Sequence, residues 1–363
     1  MMVSRDVIAK RSPRRTGNHS QFKIDPQTLE FHLPSSFIAQ EPCSPRDHAK
    51  LMGVSRLTGD ISHQQFFDLP LFFEKGDVLV LNSSRVIPAK LTGRKETGGR
   101  VEIILIAPQD EFRWRALVRP YLKPATKIEI DKGIGVVLEG QLVSGENLLR
   151  IEGADPRALM KEKGALPLPP YIKRDEKDPR AKIDYEAYQT VYSEQEGSLA
   201  APTAGLHFTT ELLKRLKDKG VEIVKVVLHV GWGTFKPISK SIDTHTMLPE
   251  TYSISKETVK ILKKAKRENR HICAVGTTST RVLESLPDDV PEQDTKGSTN
   301  LFIRPGHSFR WVSCLITNFH VPRSTPLSLA AAFLGWEKLE VAYGEALSHD
   351  YRFFSYGDAM LIQ

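Results

Sequence analysis

The sequence predicts an α/β protein carrying a β-rich insertion, on three observations. Helix-like and strand-like segments alternate in the flanks of the chain, whereas the stretch from about Gly76 to Ala154 consists of short alternating runs split by turns. Three glycine- and hydroxyl-rich stretches, LHVGWGTFKP (228–237), AVGTTSTRVLES (274–285) and LITNFHVPRST (315–325), each follow directly on an apolar, strand-like run. In open α/β sheets the carboxyl ends of the strands face the binding crevice, and a helix starting just beyond the loop offers free backbone N–H groups to an anion. A ligand site is expected at these strand ends.

The elements follow in order. Residues 1–22 hold Arg5, Lys10, Arg11, Arg14 and Arg15 with almost no large apolar residues, and read as a flexible basic tail. The main domain is expected over 23–75 and 158–363, with 76–157 as the insertion, where VLVLN, VIPAKLTG, VEIILIAP, FRWRALV, KIEI, GVVLEG and LLRIEG have all-β spacing. Beyond it, TELLKRLKDKG (210–220) places Leu212, Leu213 and Leu216 on one helical face. Thr209 suits the N-cap, Phe208 can staple against Leu213, and Gly220 supplies the left-handed stop before a strand that ends at His229.

Length and composition bound the function. With 363 residues, 40 % of them hydrophobic, the chain can bury a large core, and about 150 residues per domain gives two domains or one with an insertion. A formal charge of +7, from 51 basic and 44 acidic residues, and a pI near 9.1 favour a polyanionic partner. Cys43, Cys273 and Cys314 lie far apart without a C-x-x-C pair, which argues against a disulfide framework or cysteine zinc site and fits a reducing, cytoplasmic setting. No apolar run approaches the roughly 18 residues of a membrane span, and the N-terminus lacks a secretory core, so no membrane partner is expected.

In AAPTAGLHFT (200–209), Thr203 and His207 are close enough to serve one site, although taken alone these residues read more commonly as a capped turn with a structural histidine. His229 and His320 also end apolar runs. Imidazole titrates near pH 6.5, so any of the three can act as a base. No H-x-x-x-H helix or carboxylate-flanked pair accompanies them, and a metal-free site is expected. Thr277, Thr278 and Arg281 of GTTSTR could hold a phosphate or carboxylate with the helix N-terminus; the alternative is an ordinary capped helix. Neither a Walker loop nor a full G-x-G-x-x-G occurs. In YRFFSYGDAMLI (351–362), Arg352 and Tyr356 can stack on bases or pack in the core, and Asp358 needs a partner if buried.

In order along the chain, IAQEP (38–42), GDVLVLNSSRVIPAKL, TGGRVEIIL, LPLPPYI, YQTVYS, AAPTAGLHFT, LHVGWGTFKP, VGTTSTRVLES, LITNFHVPRST and YRFFSYGDAMLI resemble the S-adenosylmethionine:tRNA ribosyltransferase-isomerases of queuosine biosynthesis. The resemblance covers nearly everything after residue 22. It implies a layered α/β main domain with an inserted small β-barrel domain. It also implies transfer and isomerisation of the ribosyl part of S-adenosylmethionine onto 7-aminomethyl-7-deazaguanine at the tRNA wobble position. Adenine and methionine leave, and epoxyqueuosine remains in the tRNA. S-adenosylmethionine is then a consumed substrate, no cofactor or metal is needed, and a cytoplasmic monomer is expected.

Under this reading His207 or His229 is the base, and His320 or Asp358 donates a proton to the leaving adenine. Thr277, Thr278 and Arg281 grip a carboxylate or phosphate. Thr203, Asn318, Arg352 and Tyr356 bind substrate, and Arg46, Asn82 and Arg85 are carried over from matching segments without an assigned role. Three positions depart from the family's pattern. R-D-x-S-R-L reads Arg46 to Leu51 with Lys50 in place of arginine, H-x-M-H-x-E has Leu248 in place of the second histidine, and S-T-L-L/I-M-L has Pro326. Two other readings stay open: an S-adenosylmethionine-dependent RNA methyltransferase, and a non-catalytic tRNA-binding paralogue.

Overall fold

The computed structural model of the chain describes residues 22–142, 145–175, 178–235, 237–238 and 241–363. All of the expected tail except Phe22 lies outside the described residues.

The chain divides into two compact units, Met1–Arg85 with Pro170–Gln195 and Ala201–Gln363, and Val86–Pro169 with Glu196–Ala200. The first is built on a sheet that, among the described residues, has nine strands. Their order is Thr295–Thr299, Glu250–Ile254, Glu222–Leu228, Val78–Asn82, Ile272–Val275, Cys314–Asn318, Ala359–Ile362, Lys50–Val54, Ile61–Gln65. Glu222–Leu228, Val78–Asn82, Ile272–Val275 and Cys314–Asn318 run parallel to their neighbours within that group. Their sequences read as near-continuous apolar runs because both faces of a parallel sheet are covered.

On one face Leu79, Leu81, Cys273 and Ile316 pack with Phe66, Phe208, Leu212 and Leu216. The helix Thr210–Asp218 has the expected devices: the Thr209 side chain accepts the Leu212 N–H at 3.1 Å, and Gly220 sits at φ +92°.

The second unit is a closed barrel in the order Asn147–Glu152, Arg113–Arg119, Arg100–Pro108, Lys90–Lys95, Lys127–Asp131, Ile134–Gln141. Along Arg100–Pro108 the alternate residues Val101, Ile103 and Leu105 are buried, the period of two that fills a small barrel. Gly93 is required by close approach, since a Cβ there would lie 2.7 Å from the Glu129 carbonyl oxygen.

The boundaries differ from the sequence reading at both ends. Val78–Asn82 belongs to the large sheet, because all five of its residues are buried between sheet neighbours. The barrel unit continues to Pro169 through the helix Pro156–Lys163, after which Lys90 and Ala165 exchange backbone hydrogen bonds of 3.0 and 2.8 Å. Among the described residues no helix is long and apolar enough to cross a membrane.

Candidate active site at the carboxyl edge of the sheet

Strand direction gathers the polar loops. The four central parallel strands end together at Leu228, Asn82, Val275 and Asn318. Ala359 pairs with Asn318 in antiparallel register and with Leu51 in parallel register. The residues before Lys50 and before Ala359 therefore come to the same edge as the loops that follow the central strands. His229, Thr277, Thr278, His320, Arg46, Arg352 and Asp358 are all sited there, as the strand-end stretches predict.

At the middle of this edge the turn Thr203–His207 meets the last residue of Cys314–Asn318. Asn318 donates from Nδ2 to Nε2 of His207 at 3.1 Å and to the Phe354 carbonyl at 3.3 Å, while its Oδ1 accepts from the Thr203 hydroxyl at 2.8 Å. Because the Phe354 oxygen can only accept, the amide orientation is fixed and His207 carries its proton on Nδ1. Burial, followed by the charges of Arg352 and Arg46, pushes the His207 imidazole down to about 3.

The helix Gly276–Ser285 begins beside this turn without a side-chain cap, from Gly276 at φ +83°. A Cβ at Gly276 would lie 3.6 Å from the Ala204 methyl group and 3.7 Å from Thr278 Oγ1. Thr278 Oγ1 and Ser279 Oγ are buried without a hydrogen-bond partner among the described residues, and Thr277 is partly exposed. Uncapped N–H groups next to unsatisfied hydroxyls make an anion cradle.

The other two histidines differ. His229 is partly exposed; burial lowers its pKa, and its Nδ1 has no hydrogen-bond partner among the described residues. His320 shares a 2.6 Å hydrogen bond between Nε2 and the Thr317 hydroxyl, its backbone N–H donates to the Tyr343 hydroxyl at 2.8 Å, and burial pushes the ring down to about 3.

Several residues expected to touch substrate are instead committed to the scaffold. Arg281 is buried, paired with Glu250, and donates to the Leu301 and Thr299 carbonyls at 3.0 and 3.3 Å, so its guanidinium is not presented to an anion. The Asn82 side chain closes on the Leu228 backbone: its Oδ1 accepts the Leu228 N–H at 3.0 Å and its Nδ2 donates to the Leu228 carbonyl at 3.1 Å. Asp358 accepts the backbone N–H groups of Lys50 at 2.8 Å and Arg352 at 2.7 Å, one on each oxygen. Burial still raises its pKa.

The Tyr356 hydroxyl donates at 2.8 Å to Asp184, which also pairs with Arg174. Arg46 donates to the Gln189 and Glu186 carbonyls at 2.5 and 2.6 Å, and Arg85 to the Ser193 hydroxyl at 3.2 Å. Arg352 makes a 3.2 Å bond to the Glu41 carbonyl.

Sequence reasoning gave no role to Glu250. One of its oxygens accepts the Gly231 N–H at 2.7 Å and the other holds Arg281, which fixes the loop that carries His229. A carboxylate at a strand start that must be buried was the available signal.

A family model described as queuosine biosynthesis protein matches residues 26–362. This chain belongs to that family. Within the queuosine biosynthesis family, the S-adenosylmethionine:tRNA ribosyltransferase-isomerase of Thermotoga petrophila is 47 % identical over 337 residues, 92 % of this chain and 98 % of that protein. The protein of the same name from Thermus thermophilus is 47 % identical over 349 residues, 93 % and 99 % of the two chains. The crystal structure of S-adenosylmethionine tRNA ribosyltransferase from Thermotoga maritima aligns at a TM-score of 0.53 with 38 % identity, covering 92 % of this chain and 99 % of that one. The fold expected from the resemblance, a mixed α/β sheet with an inserted barrel, is the fold observed.

The family departures are accommodated. Pro326 sits in the first turn of the helix Thr325–Leu334, where its missing N–H is not needed. Lys50 donates to the His349 and Asp350 carbonyls at 2.7 and 2.9 Å. A Cβ at Gly233 would lie 3.2 Å from the Leu248 side chain.

Proposed function

We propose that this protein is an S-adenosylmethionine:tRNA ribosyltransferase-isomerase acting on 7-aminomethyl-7-deazaguanine at the tRNA wobble position, leaving epoxyqueuosine with release of adenine and methionine. The observation that carries it is the convergence, on one sheet edge, of an uncapped helix N-terminus with buried unsatisfied hydroxyls and a neutral, unencumbered histidine. The near full-length match to proteins of that name supports it.

A sulfonium acidifies the adjacent 5′ methylene. His229 removes that proton, since burial keeps the ring neutral and its buried Nδ1 has no partner among the described residues, whereas the Nε2 of His207 is held by Asn318. The ylide expels adenine, which takes its proton from solvent, because burial holds His320 neutral and without an acidic proton to give. The amine of the modified base attacks the sugar, and closure of the epoxide expels methionine. Every electron pair is supplied by substrate, so S-adenosylmethionine is consumed and no redox cofactor takes part.

The Gly276–Ser285 terminus, Thr277 and Thr278 hold the methionine carboxylate, and Thr203 with Asn318 orients the ribose. Arg85, which is exposed, and Arg352, which is partly exposed, reach the tRNA phosphates, and the protein acts as a cytoplasmic monomer.

The test is incubation with S-adenosylmethionine and tRNA carrying 7-aminomethyl-7-deazaguanine. Adenine release matched by epoxyqueuosine is expected, with His229→Gln slowing it about 100-fold or more. Release of S-adenosylhomocysteine would instead indicate methyl transfer, and tRNA binding without adenine a non-catalytic paralogue.

A further inference from the structure

We propose that His63, Glu345 and His349 form a binding site for a borderline divalent cation such as Zn2+, separate from the reaction chemistry. His63 lies on the outermost strand Ile61–Gln65, and Glu345 and His349 lie at the C-terminal end of the helix Trp336–Ser348 and in its cap. The i, i+4 spacing puts the last two on one helical face.

One ligand atom from each residue falls within 4.8 Å of the others. His63 Nε2 is 3.5 Å and His349 Nδ1 3.2 Å from the same oxygen of Glu345. Zinc bonds of about 2.0–2.2 Å at tetrahedral angles need ligand atoms roughly 3.3–3.6 Å apart, so both pairs already stand near the required separation.

The surroundings suit a metal. The Tyr351 hydroxyl lies 2.9 Å from His63 Nδ1, and that contact leaves Nε2 to face Glu345, the outer support that orients a ligating imidazole. The two rings stack at 4.4 Å, a geometry in which two imidazolium ions would repel and two neutral imidazoles would not. His63 and His349 side chains are 32 % and 47 % exposed, so the site has an entry path and a water can complete a four-coordinate shell. Two imidazoles and one carboxylate select Zn2+, Co2+ or Ni2+ over Mg2+ or Ca2+. Binding through Nδ1 of His349 releases to solvent the proton this nitrogen otherwise gives to the Glu345 backbone carbonyl at 3.1 Å, and displaces its 3.1 Å contact with the Ser348 hydroxyl.

Because the outermost strand carries one half and the helix end the other, the cation clamps the two together. It also braces the His349 and Asp350 carbonyls that hold Lys50.

The test uses the full chain, stripped with chelator and titrated with ZnCl2 by calorimetry and with Co2+ by visible absorption. One equivalent should bind with an imidazole-type cobalt spectrum and raise the thermal midpoint. His63→Ala and His349→Ala should each weaken binding about tenfold or more, with the metal-free midpoint unchanged. Failure to saturate at one equivalent, or undiminished binding in the double variant, would overturn the site. If a variant is destabilised without metal, the wild-type cobalt spectrum decides: imidazole ligation supports the site and thiolate ligation, from the three cysteines, refutes it.

Discussion

Asn318 holds Nε2 of His207 at 3.1 Å with a neutral amide donor, and the ring is buried. A protonated His207 would set N–H against N–H, so the fold itself keeps this histidine uncharged.

That arrangement makes stability depend on pH. His207 and His320, both pushed down to about 3, release in the unfolded chain to near 6.5. Between those values the unfolded state binds about two more protons, so this stabilisation is full above about pH 6.5 and is lost as pH falls. Urea unfolding near pH 5 should show a slope of about 2.7 kcal/mol per pH unit from the pair, and His320→Gln should reduce it to about 1.4. A slope unchanged by that substitution would contradict a buried neutral His320.

Thr278→Val separates binding from scaffold. Its Oγ1 has no partner, so removing it should leave stability unchanged or raise it by about 1 kcal/mol. KM for S-adenosylmethionine should rise about tenfold if the hydroxyl meets the carboxylate. An unchanged KM would remove Thr278 from the cradle.

Glu250→Gln keeps an acceptor for Gly231 but leaves buried Arg281 without its counter-charge. A loss of about 3–5 kcal/mol in chemical denaturation is expected. Glu250→Gln combined with Arg281→Met should recover part of it, and a double variant no more stable than Glu250→Gln alone would speak against the pair as the cause.

Asp358→Asn replaces an acceptor of two backbone N–H groups by a side chain that faces one of them with its own N–H. Stability should fall by about 1–3 kcal/mol while turnover of the folded fraction persists. A 100-fold drop in turnover at unchanged stability would return Asp358 to the role of proton donor.

The strand-end stretches were legible because parallel strands announce themselves as apolar runs and the helix Thr210–Asp218 carries its own cap and stop. The roles of Arg281, Asn82 and Asp358 were not, because their partners Glu250, Leu228 and Lys50 come from other strands 31, 146 and 308 positions away. Tyr356 was ambiguous for the same reason: its hydroxyl is bound by Asp184, 172 positions distant. VLVLN was read into the barrel because a short run bounded by turns looks alike in both settings; burial on both faces, not visible from spacing, assigns it to the large sheet.

The centre of the large sheet also sets an order of events for the nascent chain. Barrel hairpins such as Lys90–Lys95 with Arg100–Pro108 join neighbours in sequence and can close early, whereas Val78–Asn82 has to wait for Glu222–Leu228 and Ile272–Val275 to be synthesised. Until then VLVLN is an unpaired apolar strand with both edges open, the kind of segment that seeks a strand on another molecule. The strand that later brings Asn82 to Leu228 thus stays unpaired longer during synthesis than the barrel hairpins do.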